Sequence, residues 1–433
     1  MKEMKKELLL LFILLVPMPA LTQKIVTLRD CYERAYAAVA FAGEKQAYSD
    51  IWQLKDKNLS RSWLPKLDAN GSFIYNSSVV DMTDVLGSLP VPGIGDYIQS
   101  LPHEQYKLTL DISQTIYDGG AVRGARALEK AGLAVSEMQT ETDLYKLREQ
   151  VTGCYFNLLL LDSQEELLQS YLELINKRIS SMNSALANGV MLESDRDVLL
   201  SEKIKLEQQV SENGMRSVSL LKILSSLTDS DIDDSTELVM PAVGQKLTDE
   251  LTRPELQLFD LRREQLDASR KLIQSKRMPK AFGFATLGYG NPPGSNFFKD
   301  EFAPYYILGA GVKWNIFDWS KVRTEKQVLS LQLSIIDSRK SDMTNNLRRL
   351  LDAKKAEIES LESLLKTDSE LIEIKKRIAS AAESQYENGA ITATEYMNEL
   401  NAERQALINY EIHQMNLTMA RIEYLYISGK EIQ

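Results

Sequence analysis

The side chains that most often carry out chemistry in proteins are sparse in this sequence. Its 433 residues include two histidines, His103 and His413, and two cysteines, Cys31 and Cys154. No HExxH, CxxC or GxSxG spacing occurs, and no glycine-rich loop could cradle a phosphate. The carboxylates lie along predicted helices without forming a defined acid–base pair. The sequence therefore predicts a protein that is not an enzyme, with no catalytic, cofactor-binding or metal-binding residues and no cofactor.

The start of the chain has the pattern of an export signal. Lys2, Lys5 and Lys6 precede the apolar run "LLLLFILLVP", and small or polar residues follow as far as Gln23. The alternative is a membrane anchor, but the run is too short to span a hydrocarbon core of ~30 Å comfortably. We interpret residues 1–22 as a signal peptide, which predicts that the mature protein leaves the cytoplasm.

Composition and charge exclude one class of partner. The formal net charge is −10, with 44% hydrophobic and 26% charged residues. An acidic balance argues against a nucleic-acid partner. An exported chain with two cysteines could form a disulfide. Cys154, however, falls on an apolar heptad seam, so we interpret Cys31 and Cys154 as free buried thiols.

The chain repeats itself with a fixed offset. The segment "IYDGGAVR" at 116–123 corresponds to "IFDWSKVR" at 316–323, which begins 200 residues later. An Asn-Gly pair at 188–189 recurs at 388–389 with the same offset. An offset that is shared by these two segments and by the two Asn-Gly pairs indicates an internal duplication. Asn-Gly suits the reversal between two antiparallel helices, because glycine adopts a left-handed backbone without strain.

Each half predicts the same order of elements. Period-2 alternation indicates two hairpins of two strands, of which Tyr106, Leu108 and Leu110 mark one apolar face. The strand regions cover about 66–116 and 280–316. Predicted helices cover about 27–62, 119–187, 191–228, 248–277, 319–387 and 391–427. Asp118 and Asp318, at the two strand–helix junctions, are interpreted as helix N-caps rather than pore ligands.

The number of strands predicts association between copies. Strands of about ten residues suit a tilted membrane strand. Four strands cannot close a barrel, and an open sheet edge is not tolerated in lipid. If the strands enter a membrane, several copies must join edge to edge, and the helices beneath them would form a tube.

With these features the sequence resembles the TolC-type outer-membrane efflux channels, also called outer-membrane factors. The resemblance is carried by "IYDGGAVR", "IFDWSKVR", "RPEL" at 253–256, "MPK" at 278–280 and the two glycine-containing turns. It implies a mostly α fold with a small β part. In that fold a homotrimer joins four strands per protomer into a twelve-stranded β-barrel above a long antiparallel α-helical barrel. Residues 23–433 would be one such protomer, with an equatorial region over about 229–247 and 428–433.

The resemblance also implies a function and its partners. The protein would sit in outer-membrane lipid, extend into the periplasm and act as the exit duct of a tripartite efflux or type I secretion system. A periplasmic adaptor (membrane-fusion) protein would open its periplasmic tip, and an inner-membrane pump would supply the energy. The alternative is a soluble periplasmic coiled-coil scaffold or adaptor.

The resemblance to this family also implies which residues of this chain form the gate and the tips. The periplasmic gate would include Asp195, Glu395 and Asn398. The tips that contact the adaptor would include Asn188, Gly189, Tyr386, Asn388 and Gly389. Where some family members carry a gate arginine, this chain has Ile391, so the closed state must be held differently. The alternative for Asp195 and Glu395 is an acid in the first turn of a helix, where the helix dipole favours it.

Overall fold

The structure is a computed structural model that describes residues 24–79, 102–187, 193–243, 247–296 and 299–431. Most of the described residues are helical. The described strands are β1 (Lys24–Val26), β2 (Lys66–Tyr75), β3 (Glu104–Tyr117), β4 (Thr236–Leu238), β5 (Lys280–Asn291) and β6 (Ala303–Lys313). The described α-helices are α1 (Leu28–Ala38), α2 (Glu44–Ser60), α3 (Ala121–Ala187), α4 (Glu193–Thr228), α5 (Pro254–Ser275), α6 (Lys321–Glu387) and α7 (Ala393–Ser428). None of these helices is long and apolar enough to cross a lipid bilayer.

The chain divides into two compact units. The first contains the chain up to Gly43 together with Thr140–Leu256 and Asp342–Gln433. The second contains Glu44–Gln139 and Gln257–Ser341.

The second unit holds a four-stranded antiparallel sheet in the order β2-β3-β5-β6. These are the strands that the alternating residues predict. Pro65 and Pro279 stand immediately before β2 and β5, where a proline ends the preceding helix and leaves the chain extended. Arg126 of α3 forms a bidentate ion pair with Asp56 of α2, at 2.6 and 2.7 Å.

The helix predicted over 27–62 is broken, and the prediction of one continuous helix was wrong. Val39 takes an extended conformation after α1, a 3₁₀ turn spans Ala40–Gly43, and α2 starts at Glu44. Four buried side chains of α1 attach it to the core of the first unit: Leu28, Cys31, Tyr32 and Ala35. No residue of α2 is buried, and α2 belongs to the second unit. The break therefore separates a segment that packs in the core of the first unit from a segment that belongs to the second unit.

The helix predicted from 248 to 277 is also shorter than expected. Residues 248–253 are not helical, and α5 starts at Pro254. Proline is favoured at the first helical position, because its missing N–H would have no helical partner there, and it disfavours helical backbone in the residue before it. The Arg253-Pro254 pair therefore fixes the start of α5.

The core of the first unit contains a small sheet that the sequence analysis did not predict. Strand β1 pairs in parallel with β4, matching Ile25 with Glu237. The fully buried hydroxyl of Tyr155 lies 3.0 Å from the Val26 carbonyl oxygen and accepts a hydrogen bond from the Val239 N–H at 3.0 Å. Three-residue strands are too short to show alternation in the sequence. The contacts of Val26 and Val239 with the buried hydroxyl of Tyr155 are visible only in the structure.

Both cysteines are free thiols packed against this same core. Cys31 is fully buried, and desolvation raises the pKa of its thiol to about 12. Cys154 is half-buried. The prediction of free thiols is confirmed for both, and burial is complete only for Cys31.

Lys354 lies 200 residues after Cys154, at the corresponding position of the second half, and interrupts the apolar seam there. Its ammonium group pairs with Glu357 at 2.7 Å and with Glu423 of α7 at 2.6 Å. Lys354 therefore replaces an apolar contact between α6 and α7 with an ionic one.

Candidate functional site

The turn between α6 and α7 reverses the chain through a left-handed glycine, as the Asn-Gly pattern predicts. Gly389 has φ +72°, its N–H donates to the Tyr386 carbonyl at 3.0 Å, and the Ala390 N–H donates to the Gln385 carbonyl at 2.8 Å. This pair of bonds is the Schellman motif, which satisfies the last carbonyls of a helix. Asn388 is exposed and its side-chain amide donates to the Ser384 carbonyl at 2.8 Å. The corresponding Asn188 and Gly189 lie outside the described residues.

Substitution at Gly389 tests whether backbone conformation alone fixes this residue. A Cβ there would meet no atom within 4 Å, so only the positive φ opposes a side chain. We expect Gly389→Val to destabilise the turn by about 1–2 kcal/mol and Gly389→Asn to cost less, because asparagine tolerates the left-handed region. Thermal loss of the helical circular-dichroism signal measures both variants. Equal losses would show that the left-handed conformation is not what selects glycine here.

Glu395 caps α7 instead of projecting freely from it. Its carboxylate accepts hydrogen bonds from the Thr392 N–H at 2.8 Å and the Thr392 hydroxyl at 3.0 Å, while the Glu395 N–H donates to that hydroxyl oxygen. The backbone hydrogen bond, followed by the side-chain one, lowers the pKa of the Glu395 carboxyl. Thr392 and Glu395 have the T-x-x-E spacing of a capping box in the sequence, but this capping box was not predicted. The exposed Asn398 stands on the next turn of α7.

Tyr386 packs inside the first unit behind this turn. Only 6% of it is exposed, its ring stacks on Tyr396 at 5.2 Å, and its hydroxyl contacts the Met182 sulfur at 3.4 Å. Burial, followed by the negative charge of the half-buried Asp195 on α4, raises the pKa of the Tyr386 hydroxyl. The charge of Asp195 therefore acts on Tyr386, whereas Glu395 and Asn398 are exposed.

A cation that the sequence analysis did not single out joins three helices beside the two tyrosines. Arg178 of α3 forms ion pairs with Glu383 and Glu387 of α6, the latter at 2.6 Å. Its guanidinium carbon lies 6.0 Å from the centre of the Tyr396 ring on α7. We call these four residues the Arg178 network. No motif marks Arg178, because its partners come from a helix two hundred residues away in the sequence.

Asp118 and Asp318 both cap the long helices that follow them. Asp118 accepts from the Gly120 N–H at 2.8 Å and the Val122 N–H at 2.5 Å, and Asp318 accepts from the Val322 N–H at 3.0 Å. The two turns differ in their residues. The first uses Gly119 and Gly120 at positive φ, whereas the second places Trp319 and Ser320 at φ +52° and +66°.

The four-stranded sheet has one apolar and one mainly polar face on its first two strands. The apolar face carries Leu67, Phe73, Tyr106, Leu108, Leu110 and Ile112. The polar face carries Lys66, Asp68, Asn70, Ser72, Lys107, Thr109, Asp111 and Ser113. On β6 the apolar face is strongly exposed, with 79% of Leu308 and 72% of Val312 accessible. Apolar side chains this accessible suit contact with lipid.

Phe282 and Phe284 occupy the mainly polar face on β5. Each ring lies over a glycine of the neighbouring strand, Gly311 and Gly309 respectively, where a Cβ would collide with it. The glycines of β6 therefore make room for aromatic rings from the adjacent strand.

Comparisons with known proteins agree with this architecture. Residues 58–199 match the family model described as outer membrane efflux protein. Solved structures match nearly the whole chain: CusC at 12% identity covers 93% of this chain and 92% of its own, with a TM-score of 0.69. The outer membrane protein VceC of Vibrio cholerae matches at 13% identity over 94% of this chain and 97% of its own, with a TM-score of 0.68. This is the fold of the outer membrane efflux proteins.

Further comparisons support the same efflux-channel fold. The outer membrane channel CmeC of Campylobacter jejuni matches at 16% identity over 93% of this chain and 85% of its own, with a TM-score of 0.64. No curated protein matches the sequence. The resemblance of this chain to the outer-membrane efflux channels is confirmed at the level of the fold. The described residues contain no group of three or more potential metal ligands.

Proposed function

We propose that this protein is the outer-membrane exit duct of a tripartite efflux or type I secretion system. Three copies join their strands into one twelve-stranded barrel, and their helices enclose an aqueous path through the periplasm. A periplasmic adaptor docks on the helical turns and an inner-membrane pump drives substrate into the duct. The protein itself conducts passively.

One observation carries this proposal above all. The sheet has an exposed apolar face, a mainly polar opposite face and, within the described residues, two edge strands with a neighbour on one side only. Such a sheet is incomplete in lipid, where unpaired backbone groups cost several kcal/mol each. Closure with further copies removes both edges and leaves the polar face lining water.

Extraction and conductance test the proposal. We expect the mature protein to need detergent for release from the outer membrane, to have the mass of three chains and to conduct ions in planar bilayers. Co-purification in detergent would identify the adaptor and pump. A freely soluble single chain would favour a periplasmic scaffold instead and would exclude a duct.

The gate assignment has a separate test. We propose that Asp195 and Glu395 line the conducting path near the helical turns. The double variant Asp195→Asn with Glu395→Gln should weaken the preference for cations, because it removes two negative charges per chain. Glutamine keeps an oxygen that can accept the capping bond from Thr392. The reversal potential under a KCl gradient measures this preference.

A matched control separates charge from helix capping. Thr392→Ala removes the hydroxyl of the capping box while leaving both carboxylates in place. It should leave the reversal potential unchanged. If the double variant also leaves it unchanged, neither acid lines the path.

A further inference from the structure

The two edge strands of the sheet differ in charge on their polar face. Strand β6 ends at Lys313, which lies directly opposite Lys280 of β5. Strand β2 carries Asp68, which lies directly opposite Asp111 of β3. Like charges facing each other across two strands are destabilising, so each pair leaves a charge to be neutralised.

Asp111 already has its own hydrogen-bond donors. It accepts from Asn70 at 2.8 Å, from Thr109 at 2.9 Å and from Thr286 at 2.6 Å. Asp68, Lys280 and Lys313 have no hydrogen-bond or ion-pair partner of this kind among the described residues, and their directly opposite residues carry the same charge. The edge strand β2 therefore carries the unpaired carboxylate of Asp68, two residues from Lys66, whereas the only charged side chain on the polar face of β6 is Lys313.

Strand geometry restricts which residues of β2 can face Lys313 in another copy. Because side chains alternate between faces, Lys313 can lie opposite only the polar-face residues of β2. Near the helix-side end of β2 these are Lys66, Asp68 and Asn70. Lys66 would place a third lysine in a row with Lys313 and Lys280, whereas Asp68 would offset one of the two positive charges.

The ends of β2 and β3 are already offset in the direction that pairing Asp68 with Lys313 would continue. Strand β2 starts with Lys66 opposite Ser113, whereas β3 runs past that point to Tyr117. Strands that close into a barrel must be staggered in this way. Pairing Asp68 with Lys313 sets the start of the next β2 slightly beyond the end of β6, in the same sense.

We propose that β6 pairs with β2 of a second copy of this chain in the register that places Asp68 opposite Lys313. This inference rests on the proposed function, since it specifies how the barrel closes. The same register places Leu308 opposite Phe73 on the apolar face and Gly309 opposite Ser72 on the polar face. Each interface between copies then gains one cross-strand ion pair facing the lumen.

Cysteine cross-linking in the full chain tests the register. In a Cys31→Ala, Cys154→Ala background, Asp68→Cys with Lys313→Cys should form disulfide-linked dimers and trimers on oxidation in detergent. The matched control, Lys66→Cys with Lys313→Cys, should remain mostly single chains on a denaturing gel. A control pair that cross-links better, or an intact oligomer that cross-links in neither variant, overturns the register.

Charge reversal provides a second measurement that does not depend on oxidation. Asp68→Lys and Lys313→Asp each also turn a like-charge pair within the chain into an opposite-charge pair, so the coupling between the two changes is measured. The double variant should dissociate at a higher temperature than the sum of the two single changes gives, and strict additivity overturns the ion pair. A native mass of one chain for the unmodified protein would refute the proposed function itself, which distinguishes the two failures.

Discussion

Arg178→Ala is expected to raise the open probability of the channel about tenfold, the change that corresponds to 1.4 kcal/mol. Arg178 holds α3 to two carboxylates of α6 and to the Tyr396 ring of α7. Movement of α6 and α7 away from α3 must break these contacts. Hydrogen bonds to charged groups contribute about 1.5–3 kcal/mol each, and the low end applies here because the Glu387 side chain is 56% exposed.

Single-channel recording in planar bilayers measures this effect. Arg178→Lys keeps the charge but loses the planar fork, so it should open the channel less than alanine does. Glu383→Gln with Glu387→Gln should reproduce the alanine result from the opposite side of the ion pairs. Raised salt should have the same effect on the unmodified protein, because salt screens partly exposed charges.

The outcome that contradicts this prediction is specific. If the alanine variant opens no more often than the unmodified protein, the Arg178 network stabilises the helices without restraining opening.

Arg253→Ala is expected to destabilise the first unit by about 3–5 kcal/mol, as removal of one partner from a buried ion pair does. The Arg253 side chain is 9% exposed and pairs with Glu255, whose side chain is 12% exposed. Its guanidinium group lies 4.7 Å from the Tyr145 ring centre and 4.6 Å from that of Tyr426. It also donates to the Tyr426 carbonyl at 3.2 Å, which attaches the end of α7.

The urea concentration at which the helical signal disappears measures this loss. Replacing Arg253 and Glu255 together by methionine should cost much less, because no buried charge is then left without a partner. Equal losses for the single and double variants would mean that ring packing, rather than the ion pair, holds the site.

The sequence predicts the long elements of this fold well, because their signals are long. The four strands of the antiparallel sheet extend over ten or more residues each, and α3 and α6 each extend over 67 residues with a cap at one end. The break at Val39 and the pairing of β1 with β4 could not be predicted. Both depend on which core a short segment packs against, and a three-residue strand carries no periodicity of its own.

In the candidate site, too, local features could be predicted from the sequence, whereas contacts between distant residues could not. A left-handed Gly389 follows from local chemistry, and so does the capping box of Glu395, although the latter was overlooked. Arg178 and Arg253 could not be assigned roles from sequence, because their partners are distant along the chain. The "RPEL" segment served only as a mark of resemblance, and the structure gives it a physical reason in the buried pair of Arg253 with Glu255.

The two strand–helix junctions follow the same left-handed backbone path with different residue types. Gly119 has no alternative, because a methyl group there would lie 2.6 Å from Met278, whereas the equivalent Trp319 is 87% exposed. Yet the second half retains the left-handed path with a bulky residue, against an intrinsic penalty of about 1–2 kcal/mol. The elements that flank each turn must therefore impose this path on whichever residue occupies it.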